Sequence, residues 1–255
     1  MRSLRNATAI ITMLTLLFCA SYGWAEEEKP SADGSLAFLS QYVWRGYGLS
    51  KDSLVIQPSA TVSYYGFAFN FWGNLDTNFF PTDSAQFSET DLTLSWDKSF
   101  DKWNLGFGFI YYAFDGFGFD TEELYGSVGW DVILQPTLTV YRDYARDLKG
   151  WYINLGLSHS FPLPMNMSLD LAGSASYWSY DDINEVNDPT QGYSNLHDGL
   201  LSASLAIPFA KYFTAMPIIS YTFPLSGAAS DLIGDTSLDG NDNHFYGGVS
   251  VSIAF

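Results

Sequence analysis

Apolar and polar residues alternate with a period of two along most of the chain beyond residue 34, and turn chemistry interrupts the alternation at intervals. Between Phe67 and Asp76, Phe67, Phe69, Phe71 and Leu75 fall on one face, while Ala68, Asn70, Trp72, Asn74 and Asp76 fall on the other. Successive side chains of a strand point to opposite sides, so this stretch predicts a strand with one apolar face. Residues 103–113 repeat the pattern, with Trp103, Leu105, Phe107, Phe109 and Tyr111 set against Asn104, Gly106, Gly108, Ile110 and Tyr112. The glycines on the inward face would let neighbouring side chains fill a curved wall. Twelve such segments are predicted, at 35–46, 54–65, 67–77, 88–99, 103–115, 121–131, 134–145, 150–161, 165–178, 195–208, 212–224 and 243–255. In the last of them the apolar row is Phe245, Gly247, Val249, Val251, Ile253 and Phe255.

The connections alternate as well. Gly66, 100–102, 132–133, 162–164 and 209–211 are short, whereas 47–53, 78–87, 116–120, 146–149, 179–194 and 225–242 are mostly longer. An even strand number, with short turns on one side and longer loops on the other, fits a transmembrane antiparallel up-and-down β-barrel of about twelve strands. Aromatic residues near strand ends, at Tyr42, Trp44, Trp96, Trp103, Trp130, Trp151, Tyr177 and Phe223, fall where an interfacial girdle would lie. The rival all-β reading is a soluble sandwich whose aromatic rows form its core.

Composition separates these readings from helical alternatives. Aromatic residues make up 18% of the 255 residues and charged residues only 15%. A mean hydropathy of +0.01 is too low for a bundle of membrane helices, so any membrane contact must alternate along the strands. The one long, nearly uninterrupted apolar run is at 9–25, preceded by Arg2 and Arg5 and followed by Glu26-Glu27-Glu28. It predicts an export signal over 1–25, cut after the small residues Gly23 and Ala25, then a periplasmic lead at 26–34 and the barrel at 35–255. An uncleaved anchor is the alternative. Phe18 before Cys19 is too bulky for lipoprotein processing, and removal of the signal leaves a chain without cysteine, hence without disulfides or thiol chemistry. With a net charge of −17, which the loss of two arginines makes more negative, nothing points to nucleic acid.

Catalytic and metal-binding patterns are weak. The histidines are His159, His197 and His244. His159 falls on the apolar row of Ile153, Leu155 and Leu157 beside a short turn, with Met167 as its outward neighbour and no outward serine to activate. His197 and His244 flank long connections, where they read as solvated polar residues. The acidic stretch Asp239-Gly240-Asn241-Asp242-Asn243 places His244 where a calcium loop needs glycine, and no bidentate glutamate follows. Asp181, Asp182, Glu185, Asp188, Asp231 and Asp235 then belong to solvated loops, with a binding or adhesion role as the alternative. No catalytic residue, metal site or cofactor is expected, although some outer-membrane barrels are lipid hydrolases.

Two resemblances add to this reading. The end of the chain, apolar at every second place through Val249, Val251, Ile253 and Phe255, looks like the assembly signal of bacterial outer-membrane barrels. The segment Tyr42-Val43-Trp44-Arg45-Gly46, then Ile56-Gln57-Pro58, then Tyr65-Gly66-Phe67 running into Trp72-Gly73-Asn74-Leu75-Asp76, resembles the opening of the TorF-type porins, small outer-membrane barrels. That resemblance covers 40–76 and implies no catalytic or ligand residues, and Met216 to Leu225 departs from the family's glycine-rich pattern. It implies a Gram-negative outer-membrane location with both termini periplasmic. The partners would be outer-membrane lipid and lipopolysaccharide, the barrel-assembly machinery and small solutes.

If the apolar rows face lipid, the alternation sends Asp76, Glu89, Asp91, Asp97, Glu123, Asp131, Asp143, Asp170 and Asp198 inwards against a single clear cation, Arg45. Such a lining favours cations. Asp97 and Asp131 could equally be solvated at the mouth, and Arg45 could be either a lone attraction for anions or the structural partner of an inward carboxylate. The sequence therefore predicts a small-solute channel that prefers cations, with a non-conducting barrel that binds through its loops as the alternative.

Overall fold

A computed structural model describes residues 29–51, 53–115, 120–144, 149–180 and 192–255. The elements in chain order are β1 (Ser31–Leu39), β2 (Val43–Trp44), β3 (Tyr47–Gly48), β4 (Val55–Tyr64), β5 (Phe67–Phe79), β6 (Ser84–Phe100) and β7 (Trp103–Phe114). After these come β8 (Thr121–Trp130), β9 (Thr137–Asp143), β10 (Gly150–Pro162), β11 (Ser168–Tyr180), β12 (Tyr193–Ala210), β13 (Phe213–Pro224), helix α1 (Gly227–Thr236) and β14 (His244–Ala254). All strands except β2 and β3 form one closed antiparallel barrel of twelve, each paired with its neighbours in sequence. Closure comes from β1, which pairs with β4 on one side and with β14 on the other, from Asp33 opposite Ala254 to Leu39 opposite Gly248. The Phe255 N–H donates to the Ala32 carbonyl at 2.9 Å, so the pairing runs to the last residue. No wall edge is left open to another chain.

The distribution of apolar side chains is inverted relative to a sandwich. Phe69, Leu94, Phe107, Leu124, Leu155, Leu201 and Ile219 lie on the outer face and are exposed, Phe107 to 56%. A soluble monomer rarely exposes an apolar patch of more than a few hundred Å², and a band running round the whole wall far exceeds that. This overturns the sandwich alternative. On the inner face, a side chain at Gly108 would come within 2.6 Å of the Tyr125 ring, so the large inward residue of β8 occupies the space that the glycine of β7 leaves. No helix among the described residues is long and apolar enough to cross a membrane.

Twelve segments map onto twelve wall strands, and the differences lie at their ends. The first strand starts at Ser31 and ends at Leu39, so residues 31–34 belong to the wall and not to a lead. Asp33 and Gly34 hide the start because they break the apolar alternation, yet both pair with β4 and β14. Beyond Ser40, whose N–H still donates to the Gly247 carbonyl at 2.9 Å, residues 41–46 leave the wall. The connection at 78–87 contracts to 80–83, because β5 and β6 continue past their apolar rows. Within 225–242 the chain forms α1, capped where Ser226 Oγ accepts from the Ala229 N–H at 3.1 Å. The export signal expected at 1–25, its cleavage before Glu26 and the acids at 181–188 lie outside the described residues.

Tyr42 and Trp44 face the lumen, not an interfacial girdle. Of the remaining girdle residues, Trp103 stacks on Trp130 at 5.7 Å between ring centroids, and Trp151 lies under the Arg142 guanidinium at 4.9 Å. His159 packs edge-on against Phe161 at 4.5 Å and stands opposite Leu171, so its neighbour is not Met167.

Candidate functional site: the lumen and its plug

The wall has a turn end, where both β1 and β14 reach their outer limits, and a loop end carrying 40–54 and α1. Between β1 and β4 the chain folds back into the lumen as the β2–β3 hairpin, with Val43 opposite Gly48 and Trp44 opposite Tyr47. Its two central residues, Arg45 (φ +46°) and Gly46 (φ +86°), both take left-handed backbone, the geometry that a two-residue turn between twisted strands requires. Arginine in that region carries strain of about 1 kcal/mol or more, which persists only where the surroundings impose it.

Those surroundings converge on the guanidinium. Arg45 Nη1 and Nη2 donate to Glu123 Oε1 and Oε2 of β8 at 2.8 and 2.7 Å, a bidentate pair whose side chains are 8% and 3% exposed. The charge also lies 4.1 Å from the Tyr152 ring, 4.4 Å from Trp44 and 4.9 Å from Tyr141. Planar, weakly hydrated guanidinium suits this double role of fork and stacking partner, and lysine does not. Tyr112 Oη donates a further bond to Glu123 Oε2 at 2.9 Å.

Other inward carboxylates hold the same plug or the wall around it. Tyr42 Oη donates to Glu89 Oε2 at 2.8 Å, Tyr152 Oη to Asp198 Oδ1 at 2.9 Å, and Thr121 Oγ1 to Asp143 Oδ2 at 2.7 Å. Ser176 also donates to Asp198. A register shift in β12 opposite Ala175 and Tyr177 turns both His197 and Asp198 inward, the re-aiming expected of a β-bulge. His197, fully buried, contacts the Arg45 carbonyl through Nε2 at 3.1 Å and Tyr193 Oη through Nδ1 at 2.8 Å. Since a carbonyl only accepts, Nε2 carries the proton and Nδ1 accepts from the tyrosine. His197 is therefore a structural tie, not a solvated residue.

His244 is likewise 2% exposed and buried against the plug. Its Nε2 lies 3.3 Å from Ser237 Oγ and its Nδ1 3.3 Å from Asp239 Oδ2, the order of a nucleophile, base and acid relay. Both contacts are long, and Ser237 Oγ already accepts the Gly48 N–H at 3.0 Å. Neither Ser237 nor His244 lines the turn-end cavity or the one beneath the hairpin. The Leu238 N–H donates to the Gly48 carbonyl at 2.8 Å, which makes this cluster the joint between hairpin and α1. Partial burial alone would raise the Asp239 carboxyl, but hydrogen bonds from Asn241 and Gln41 outweigh it and hold the group below the ordinary carboxylate range. Above the hairpin, Ile233 and Ala229 of α1 are fully buried with Tyr47, Tyr152 and Trp178. A side chain at Gly46 would lie 2.9 Å from Ile233 Cδ1.

The expected pore-lining set is thus redistributed. Arg45 is not on the first strand and is not a lone attraction for anions, because the hairpin carries it into the lumen and Glu123 neutralises it. Glu89, Glu123, Asp143 and Asp198 are engaged as described. Asp76 accepts from the Asn78 N–H at 2.9 Å, while its second oxygen and Asp91 Oδ1 are buried with no partner among the described residues. Asp170 accepts from Ser168 at 3.1 Å. Asp97 and Asp131 border a turn-end cavity of about 340 Å³ that Lys98, Asn104, Ser127 and Thr137 also line, and Arg45 and Asp198 border a second cavity beneath the hairpin. The sequence reading missed the hairpin, although Arg45-Gly46 marks a turn, and missed α1, although Ala229, Leu232 and Ile233 follow helical spacing after the cap residue Ser226.

No family model matches the sequence, and a search of curated proteins finds no match. OmpF of Salmonella typhi, in complex with daunomycin, aligns at 8% identity with a TM-score of 0.41, over 89% of this chain and 97% of that one. The translocator domain of the autotransporter NalP from Neisseria meningitidis aligns at 11% identity with a TM-score of 0.40, over 100% and 98%. Both are too distant to carry an argument. An outer membrane channel from Pseudomonas putida F1 aligns at 8% identity with a TM-score of 0.54, over 92% of this chain and 98% of that chain, and what the two share is the barrel fold.

Proposed function

We propose that this chain is an outer-membrane channel for small solutes, with both termini periplasmic and with its loop-end mouth held shut by the 40–54 plug. The observation that carries the reading is a lumen with a polar cavity at the turn end and, at the loop end, a plug held by one buried charged latch. The exposed apolar band supports the membrane location, with lipid and lipopolysaccharide as its surroundings, and the likeness to an outer membrane channel supports the class. The resemblance of 40–76 to the TorF-type porins fits the same reading. No enzymatic step is part of it. The test is conductance of the purified barrel in a planar bilayer, wild type against a variant with the latch removed. The bidentate Arg45–Glu123 pair that holds the plug favours a second reading, a non-conducting barrel that acts through its loops, and silence from both proteins would select it.

Two expected results accompany this reading. Phe107→Arg places a charge on the exposed face of β7 and should cost about 2–4 kcal/mol if that face meets the bilayer midplane. Unfolding in lipid vesicles reads this directly, and a change within about 0.5 kcal/mol, as for an ordinary water-exposed position, would contradict the membrane assignment. Once the plug is displaced, Asp97 and Asp131 against Lys98 should give a modest preference for cations. Reversal potentials in a salt gradient should then shift towards zero in Asp97→Asn/Asp131→Asn. An anion-selective current would remove the cation preference from the proposal.

A further inference from the structure

Directly beneath the hairpin tip the lumen holds a second cavity of about 340 Å³, within the range of small-molecule sites. Its wall presents the rings of Trp44, Tyr141 and Tyr246 together with the polar side chains of Asn154 and Ser174. The charges that reach it are already matched, Arg45 by Glu123 and Asp198 by Tyr152 and Ser176. The polar uncharged groups are not. The side chains of Asn154 and Ser174 have no hydrogen-bond partner among the described residues, whereas Thr222 Oγ1, also without a partner, is closed off from the cavity.

That combination selects a ligand by elimination. An ion would enter a cavity whose charged groups already have partners, Arg45 in Glu123 and Asp198 in two hydroxyls, and would find little to offset its lost hydration. An apolar ligand would cover Asn154 and Ser174 and leave both unsatisfied. A neutral ring bearing several hydroxyls can lay its C–H face on an aromatic ring and direct its hydroxyls at these two free polar groups. We propose that this cavity is a binding site for a neutral polyhydroxylated ring of mono- or disaccharide size, entered from the turn end. The inference rests on the channel reading, since it names the solute class that the same lumen would hold.

Calorimetric titration of the folded, detergent-solubilised full-length chain with glucose and with maltose tests it, with lysine and glutamate as charged comparisons. At least one sugar should bind saturably and both amino acids at least tenfold more weakly. Asn154→Ala/Ser174→Ala should weaken sugar binding tenfold or more. Ser174→Ala alone should weaken it about threefold and provides a second variant should the first not fold, as judged by heat-dependent gel mobility. No saturable binding of either sugar, affinity unchanged in the folded variants, or equal binding of an amino acid would overturn the proposal. Potassium chloride conductance measured on the same preparation separates the two claims. Current without sugar binding removes this inference alone, and sugar binding with silent bilayers in wild type and latch variants removes the channel reading alone.

Discussion

Arg45→Ala should unlatch the plug while leaving the twelve-stranded wall in place. The substitution removes two hydrogen bonds of 2.7 and 2.8 Å from Glu123 and strands its buried carboxylate. Breaking a buried pair by deleting one partner costs about 3–5 kcal/mol, because the remaining charge is left uncompensated. The stacking of the guanidinium on Tyr152 and Trp44 is lost as well. None of this touches the pairing of β1 with β4 and β14, so the barrel should still resist detergent unfolding on a gel. Conductance should rise, and proteolysis should cut within 40–54. Arg45→Lys should fall between wild type and alanine, since it keeps the charge but not the fork or the stacking plane. A variant that melts as a whole with no change in current would show that the pair supports the wall and not a plug.

Trp178→Ala should produce the second large effect. The indole of β11 meets Trp44 at 5.9 Å, Tyr47 and Tyr152 at 5.7 Å, and His197 at 4.9 Å, so one ring supports both strands of the hairpin and the histidine that grips its turn. Large-to-small changes of this kind cost about 3–5 kcal/mol in a packed interior. Trp103→Ala, by contrast, removes an exposed ring that stacks only on Trp130 and should cost less than about 1.5 kcal/mol. Combining Trp178→Ala with Arg45→Ala should cost clearly less than the sum of the two, because each releases the same element. Full additivity in chemical unfolding would mean that the two residues serve separate structures.

The wall was legible in the sequence because its signal is repeated. A period of two recurs along every strand, and a slip of one residue would turn Phe67, Phe69 and Phe71 into the lumen, so composition and register constrain each other. What the alternation could not reveal is where the chain leaves the wall. Residues 41–46 continue to alternate, with Tyr42 and Trp44 in step with the preceding strand, yet they turn inward because Arg45 and Gly46 accept left-handed backbone and because Glu123 offers a partner 78 positions away. Long-range pairing of that kind leaves no local mark. The partners of the carboxylates were not foreseeable from the alternation, since Glu89, Glu123 and Asp198 are met by tyrosine hydroxyls and a guanidinium brought together by closure. His197 and His244 were misread for the same reason. Positions beside long connections are solvated only when nothing else folds over the mouth, and here the hairpin covers His197 while the hairpin and the segment after α1 cover His244.

Single-channel recording in a planar bilayer tests the plugged-channel account most directly, with wild type, Arg45→Ala and Glu123→Gln compared at one salt concentration. The account predicts rare or small openings from the wild type and frequent, larger ones from both variants. Equal, sustained conductance from all three would show that the plug does not close the lumen, and silence from all three would show that the barrel does not conduct.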